Sequence, residues 1–154
     1  MNVSVRHTIS AIVLAAMLWL SPGAHAAEDT VVKAMEDYLE FVDYMGGTIL
    51  PRQIARADWK DFYVIDARDA EQYQQEHIPG AVNIDWRQVL AHRAEFPKDK
   101  TILLYCNSGT LSAQAAFALK LAGVENVLIL QGGLNEWKAE GGFDAQRRAT
   151  QPAK

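Results

Sequence analysis

Cys106 is the only cysteine in the 154-residue chain, and its surroundings favour chemistry at its sulfur. An apolar run at 101–105 precedes it, and the short segment 107–109 separates it from a helical pattern over 111–121. A thiol between a strand and a helix faces the N–H groups of the turn and the positive end of the helix dipole, and both favour thiolate over thiol. Because an internal disulfide needs a second cysteine, Cys106 is either a buried filler residue or a nucleophile.

The segment that begins at Cys106 has the composition of an anion-binding turn. Gly109 allows the positive φ or the close backbone approach that a concave ring of amides requires. A bound anion or a sulfur-containing substrate would then meet several N–H donors and a helix N-terminus together. The hydroxyls of Thr110 and Ser112 either contact this substrate or, in the case of Ser112, cap the helix.

The N-terminus has the features of a secretory signal peptide over residues 1–26. Arg6 provides a basic start, residues 9–20 are apolar, and Ala24-His-Ala26 places small residues at the −3 and −1 positions of a cleavage site. The apolar stretch of twelve residues is shorter than the roughly 20 residues that span a bilayer. We therefore expect cleavage rather than an uncleaved anchor, and an exported protein without stable membrane insertion.

Charge and composition exclude several classes of partner and site. Without the signal peptide the chain has 14 basic and 19 acidic residues, and no basic cluster stands out. Nucleic acids and anionic membranes are therefore not expected partners. After cleavage the histidines are His77 and His92, which together with Cys106 do not form a metal-binding pattern. We expect no metal and no other cofactor.

The mature chain is predicted to form one α/β domain behind an N-terminal helix. Residues 27–47 have the pattern of an amphipathic helix that docks on the flank of the domain or, alternatively, serves as a partner-binding arm. Short apolar runs alternate with helical segments over 48–143, which predicts a parallel sheet with helices on both faces. The polar residues 144–154 are expected to form a flexible tail. The predicted strands are 48–50, 62–65, 81–84, 101–105 and 127–130, and the predicted helices are 51–55, 70–75, 86–95, 111–121 and 134–140.

Four motifs, in their order and spacing, resemble those of the rhodanese family. They are Val64-Ile-Asp-Ala-Arg68 with Glu71-Gln-Tyr73, His77-Ile-Pro-Gly-Ala-Val-Asn-Ile84, Leu104-Tyr-Cys-Asn-Ser-Gly109, and Gly132-Gly-Leu-Asn-Glu-Trp137 with Gly141. The resemblance covers residues 48–143 and is strongest to single-domain periplasmic members. It implies a five-stranded parallel sheet with flanking helices and, together with the signal peptide, a periplasmic location.

The resemblance also implies a sulfurtransferase. In this family the cysteine takes a sulfane sulfur from a donor such as thiosulfate, forms a persulfide, and passes the sulfur to cyanide or a thiol. Cys106 is then the nucleophile, and Asp66, Arg68 and His77 support the structure. The less favoured alternative gives Asp66 and Arg68 catalytic roles as acid and cation, and His77 a role as base. The residues implied in substrate binding are Asn107, Ser108, Gly109, Thr110, Leu111 and Ser112.

The loop departs from the common family pattern in its charge. Many active members have Arg or Lys there, whereas residues 107–111 contain no charged side chain. A dianionic donor would be held only by amides, hydroxyls and the helix dipole, of which the dipole contributes roughly 0.3–1 kcal/mol. We therefore expect weak affinity for thiosulfate, or a preference for a less charged donor such as a persulfide or polysulfide.

Three other functions remain as alternatives. In the first, the domain is a sulfur carrier that delivers the persulfide to a specific thiol protein of the periplasm. In the second, it is a phosphatase, whose longer cysteine loop would end in an arginine; here the seventh position is Ser112, and the segment 106–123 contains no arginine. In the third, the domain is inactive and Cys106 is buried filler.

Overall fold

The computed structural model describes residues 23–151, with side chains from residue 27 onward. The predicted signal peptide lies outside the described residues except for residues 23–26, which form the start of a helix. Within the described part of the chain, no helix is both long enough and apolar enough to cross a membrane.

The predicted five-stranded parallel sheet is confirmed. Its strand order is β1-β5-β4-β2-β3, and every neighbouring pair is parallel. The central strand β4 pairs with β2 from Thr101 to Tyr105 and with β5 on its other side. Strands buried on both faces are continuously apolar, which explains why these runs were recognisable in the sequence. The strands are β1 (Thr48–Ile49), β2 (Phe62–Asp66), β3 (Val82–Asn83), β4 (Thr101–Tyr105) and β5 (Val127–Leu130).

Helices cover both faces of the sheet, as predicted. The helices are α1 (Gly23–Phe41), α2 (Ala70–Gln75), α3 (Val89–His92), α4 (Thr110–Leu121), α5 (Gly133–Glu140) and α6 (Ala145–Thr150). Side chains of β4 alternate between two cores: Ile102 and Leu104 pack with α3 and α4, whereas Leu103 packs with α5. This alternation follows from the two-residue period of a strand.

Two predicted helices are shorter than expected. The segment 86–95 contains α3 followed by a single 3₁₀ turn at Arg93–Glu95, and 51–55 contains a 3₁₀ turn at Pro51–Gln53. A further 3₁₀ helix, Arg56–Asp61, was not predicted. Short polar segments of this kind lack the repeated apolar spacing on which helix prediction depends.

The N-terminal helix differs from its prediction in position and in packing. It spans Gly23–Phe41 rather than 27–47. The ring of Tyr38 packs edge-on against Phe117 of α4 at 4.9 Å between ring centroids. The apolar side chains Val31, Val32, Met35 and Leu39 are all exposed, so the helix contacts the domain mainly through one edge.

The C-terminal segment contains regular structure, contrary to the expectation of a flexible tail. Residues Ala145–Thr150 form α6, and Ala145 is only 2% exposed. Phe143, just before this helix, packs between Trp59 and Trp137. This long-range packing orders a segment whose polar composition gave no local signal.

Candidate active site

Cys106 lies directly after the central strand, at the carboxyl edge of the sheet where ligand sites form in open parallel sheets. Its side chain is only 2% exposed. The Gly109 N–H points at the sulfur with an N–Sγ distance of 3.2 Å, and the Ser112 hydroxyl lies 3.7 Å from it. Gly109 has a φ of +98°, the left-handed conformation that the sequence pattern predicted for this turn. The loop thus directs its donors at the sulfur.

The first turn of α5 fixes the loop from the opposite side. The Leu134 N–H donates to the carbonyl oxygen of Cys106 at 2.8 Å, and the Asn135 N–H donates to that of Asn107 at 3.1 Å. Because these carbonyl groups point towards α5, the amides that follow them are free to point towards the sulfur. Gly133 makes this approach possible, since a Cβ there would collide with the Cys106 carbonyl oxygen.

These surroundings shift the ionisation of the thiol towards thiolate. Burial by itself raises the pKa of Cys106. The N–H groups of Ser112, Ser108 and Leu111 and the Ser112 hydroxyl lower it by binding the anionic sulfur, and together they bring the pKa of Cys106 below its ordinary value. Hydrogen bonds to the charged form thus outweigh desolvation, which is the condition for a reactive rather than an inert buried cysteine.

A buried ion pair supports the loop from the neighbouring strand. Arg68 and Asp66 are 5% and 0% exposed, and the guanidinium binds both carboxylate oxygens, with Nη2–Oδ2 at 2.6 Å and Nε–Oδ1 at 2.9 Å. The Arg68 Nη1 also donates to the side-chain carbonyl of Asn107 at 3.1 Å. The Asn107 amide in turn donates to Gln72 at 2.7 Å. The first residue after the cysteine is therefore held by a chain of polar contacts.

Other residues that hold this support in place were missed by the sequence reasoning. The Asn83 amide donates to the backbone carbonyls of Asp66 and Arg68 at 3.1 and 2.8 Å. The Tyr105 hydroxyl accepts the Ile78 N–H at 3.0 Å, and burial together with Asp66 raises the pKa of Tyr105, which therefore stays protonated. The sequence motifs contain Asn83 and Tyr105, but the residue types alone do not show which distant backbone groups these side chains bind.

The remaining loop residues have distinct environments. Ser108 and Thr110 are exposed, and their hydroxyls lie 3.1 Å apart at the surface. Leu111 is half-buried. Ser112 is buried, and its hydroxyl oxygen lies 2.9 Å from the Gly109 carbonyl oxygen and 3.7 Å from the Cys106 sulfur, so its single proton is shared between these two acceptors. The possibility that Ser112 caps the helix is wrong, because α4 starts at Thr110 and Gly109 occupies the cap position.

The contacts of the His77 ring are with Tyr73 rather than with the sulfur of Cys106. Its ring stacks on Tyr73 at 4.0 Å between centroids, and its Nδ1 lies 2.8 Å from the Tyr73 carbonyl oxygen. Among the described residues, no hydrogen bond joins His77 to Cys106. The geometry thus gives His77 a place in the turn before Ile78 and does not bond it to the thiol.

Comparison with known proteins yields a family model described as "Rhodanese-like domain", which matches residues 50–140. The chain is 38% identical over 98 residues to the probable adenylyltransferase/sulfurtransferase MoeZ of Mycobacterium tuberculosis. That match covers 60% of this chain but only 24% of MoeZ, so the chain spans about a quarter of the length of that relative. It is also 34% identical over 85 residues to a sulfurtransferase of Allochromatium vinosum, covering 55% of this chain and 79% of the relative.

A solved structure extends this likeness to three dimensions. The solution structure of the rhodanese-like domain of an Anabaena protein superposes with a TM-score of 0.56 at 27% sequence identity. The superposition covers 70% of this chain and 87% of the other. Sequence and fold therefore agree on one family.

Proposed function

We propose, since the chain belongs to the rhodanese-like domain family, that it transfers sulfane sulfur through a persulfide on Cys106. The observation that carries this proposal is the buried sulfur that accepts N–H groups from its own loop while its pKa is lowered. The sulfurtransferase relatives support the same activity. If Cys106 only filled space in the core, the loop carbonyls would not have to point away from its sulfur.

The first step uses the thiolate as the nucleophile. The Cys106 sulfur attacks the terminal sulfur of the donor and forms a new S–S bond, while the donor's own S–S bond breaks. The leaving group takes the bonding electron pair: sulfite leaves from thiosulfate, and a thiolate leaves from a persulfide. Cys106 then carries one additional sulfur atom with a negative charge at its end. No proton is transferred and no external oxidant is needed.

The second step regenerates the thiolate. The acceptor, cyanide or a thiolate, attacks the terminal sulfur of the persulfide, and the S–S bond to Cys106 breaks. Thiocyanate or a new persulfide leaves, and the Cys106 sulfur recovers its electron pair. The division of one transfer into two displacements at the same sulfur is typical of nucleophilic catalysis.

The loop stabilises the anionic sulfur in both states. Amides aimed at a developing charge in a site with little water are effective because they need no reorganisation during the reaction. Here α5 fixes the carbonyls of Cys106 and Asn107, and Arg68 fixes the Asn107 side chain. We expect the terminal sulfur of the persulfide to lie within the concave side of the loop.

The charge of the loop indicates which kind of sulfur donor fits the site. Residues 107–111 bring no cation, and Arg68, which binds Asn107, is already paired with Asp66. A dianion such as thiosulfate therefore lacks a counter-charge at the cysteine. We propose a persulfide or polysulfide as the better donor, and a thiol as the natural acceptor.

We also propose that this activity takes place in the periplasm. Its support is the signal-peptide pattern of residues 1–26. The alternative, a carrier that serves one periplasmic thiol protein, differs in its acceptor. Multiple turnovers with free cyanide support an enzyme, whereas sulfur release only to a thiol protein supports the carrier.

Donor preference is testable by measuring thiocyanate formation from cyanide with thiosulfate and with glutathione persulfide. We expect a higher kcat/KM for the persulfide and no turnover by Cys106→Ser. A Thr110→Arg variant adds a cation at the exposed end of the loop and is expected to lower the KM for thiosulfate, whereas the neutral Thr110→Gln variant is not. A low-micromolar KM of the wild type for thiosulfate contradicts the proposed donor.

A further inference from the structure

Helix α1 presents an apolar stripe to solvent. Val32, Met35 and Leu39 lie on one face at helical spacing, and they are 48%, 38% and 69% exposed. Most of the large exposed apolar side chains of the described residues belong to α1 and the segment after it, up to Met45. Contiguous apolar surface of this kind marks an interaction site rather than a random distribution.

The net negative charge of residues 27–154 comes from the same segment. Residues 27–47 contain six acidic side chains and one lysine, whereas residues 48–154 contain thirteen acidic and thirteen basic side chains, which balance. The helical spacing places Asp29, Glu36 and Glu40 along one edge of the apolar stripe. Within residues 23–151 no ion pair involves these three carboxylates, while Lys33 pairs with Asp37.

A groove with basic residues lies at the amino-terminal edge of the sheet, whereas Cys106 lies at the carboxyl edge. It is a cavity of about 310 Å³ beside the starts of β4 and β5. Its more exposed apolar lining comes from Ala94, Pro97 and Val124, with the nearly buried Phe96 and Ile102 behind them. The charged lining is basic on balance, with Arg93, Lys98 and Lys100 against the single acidic residue Glu125. Neither lysine forms an ion pair with another of the described residues. We call this cavity the basic groove.

We infer that α1 of one copy docks in the basic groove of a second copy, in a two-fold dimer. The apolar stripe matches the apolar lining, and the acidic edge of α1 matches Lys98 and Lys100. Within one copy α1 lies against α4 through Tyr38 and Phe117, so its stripe is available to another molecule. A two-fold arrangement forms this contact twice and closes the assembly. The inference is independent of the proposed sulfur transfer.

A lipid surface fits the same helix less well. Membrane-surface helices have basic polar faces that bind anionic headgroups. The single lysine of residues 27–47 is paired with Asp37 in α1, and the remaining charges of this segment are negative. The acidic edge therefore favours a basic protein surface, and the chain itself contains one.

Charge reversal tests the dimer. The full chain, as processed by the expressing cell and with its N-terminus defined by intact mass, is examined by sedimentation velocity over a concentration series. We expect the wild type to dimerise, and each of the double variants Glu36→Lys/Glu40→Lys and Lys98→Glu/Lys100→Glu to weaken the dimer by about tenfold or more. Combining the two double variants restores opposite charges across the interface and is expected to recover the affinity.

A matched control reverses two exposed charges elsewhere, Asp58→Lys/Asp61→Lys, and is expected to leave the dimer unchanged. Circular dichroism and thermal unfolding confirm that each variant is folded. A wild type that stays monomeric up to its solubility limit overturns the inference, whether or not it binds anionic vesicles. A dimer that is insensitive to reversal in α1 or in the groove overturns it as well.

Discussion

The loop at Cys106 and helix α1 are both at the surface of the molecule, but they are held in place differently. Backbone carbonyls of the loop bind α5, and its Asn107 side chain binds Arg68. Helix α1 instead packs on α4, where Tyr38 contacts Phe117, and leaves its apolar stripe exposed. Under the proposed function, the fixed loop gives the reacting atoms a defined geometry. Under the inferred dimer, the exposed stripe is the surface that a second copy covers.

The largest effect is expected from removing the support behind the loop. Arg68→Ala leaves the Asp66 carboxylate, which is 0% exposed, without its counter-charge and leaves the Asn107 side chain with its bond to Gln72 alone. Loss of one partner from a buried pair costs about 3–5 kcal/mol. Urea unfolding measures this loss, and slower sulfur loading should accompany it.

Arg87 offers a matched control, since it forms an ion pair of similar length with Asp85 at the surface. Arg87→Ala is expected to leave the unfolding midpoint unchanged within error, because water replaces an exposed pair. Equal effects of the Arg68 and Arg87 substitutions would show that the buried pair is not a special support for the loop.

The second effect concerns the close approach of α5 to the loop. Gly133→Ala introduces a Cβ that collides with the Cys106 carbonyl at a positive φ, so the hydrogen bond from Leu134 must break. We expect a loss of roughly 3 kcal/mol in unfolding free energy. Gly80→Ala is the control: Gly80 has a similar φ but open space around it, so only the conformational cost of about 1–2 kcal/mol remains.

If both glycine variants lose the same stability, the contact between α5 and the loop contributes nothing beyond backbone strain. The packing of α5 would then not be what holds the loop at Cys106 in place. Thermal and denaturant unfolding of both variants, in one buffer, decide between these outcomes.

A smaller effect is expected at the thiol itself. Ser112→Ala removes a hydroxyl that lowers the pKa of Cys106 and supports the Gly109 carbonyl, at a cost of about 1 kcal/mol in stability. The pH at which alkylation by iodoacetamide reaches half its maximal rate should rise relative to the wild type. Ser108→Ala removes only a surface hydroxyl and keeps the Ser108 N–H, so its pH profile should match the wild type.

The sign of the pH dependence follows from the lowered pKa of Cys106. The folded state binds the thiol proton less tightly than the unfolded chain, so the stabilisation is fully present above the unfolded pKa. It decreases as the pH falls through the folded pKa. An alkylation profile with its midpoint above that of a free cysteine contradicts the proposed thiolate.

The smallest effect is expected on α1. Leu39→Ser changes a side chain that is 69% exposed and should alter the unfolding free energy by less than about 0.5 kcal/mol. Leu103→Ala, in the fully buried strand β4, should cost about 2–5 kcal/mol. A large loss for Leu39→Ser in a monomeric preparation would show that α1 packs on its own domain by its apolar stripe.

The strands and the position of Cys106 at the end of β4 were predictable because they depend on local patterns. Residues 102–105 of β4 are buried and consist of large aliphatic and aromatic side chains, and Gly109 marks the turn that follows. Local sequence does not show contacts between distant residues. The bond from Leu134 to Cys106 joins residues far apart in the chain, and the burial of Ala145 depends on where the C-terminal segment packs.

For helix α1 the sequence predicted the element but not its partner surface. Its apolar spacing correctly predicted an amphipathic helix, but the spacing cannot say which surface covers the stripe. The same pattern fits a helix docked on its own domain and a helix that binds another molecule. In the structure Val32 and Leu39 are exposed, so the described part of the chain does not cover this stripe.

A persulfide on Cys106 is detected by intact mass. Wild type and Cys106→Ser are incubated with a polysulfide, freed of excess reagent, and weighed before and after addition of cyanide. We predict that the wild type gains one sulfur atom and loses it to cyanide as thiocyanate, whereas the serine variant gains none. Absence of the adduct from the wild type with polysulfide, glutathione persulfide and thiosulfate, or an equal adduct on the serine variant, contradicts the proposed persulfide.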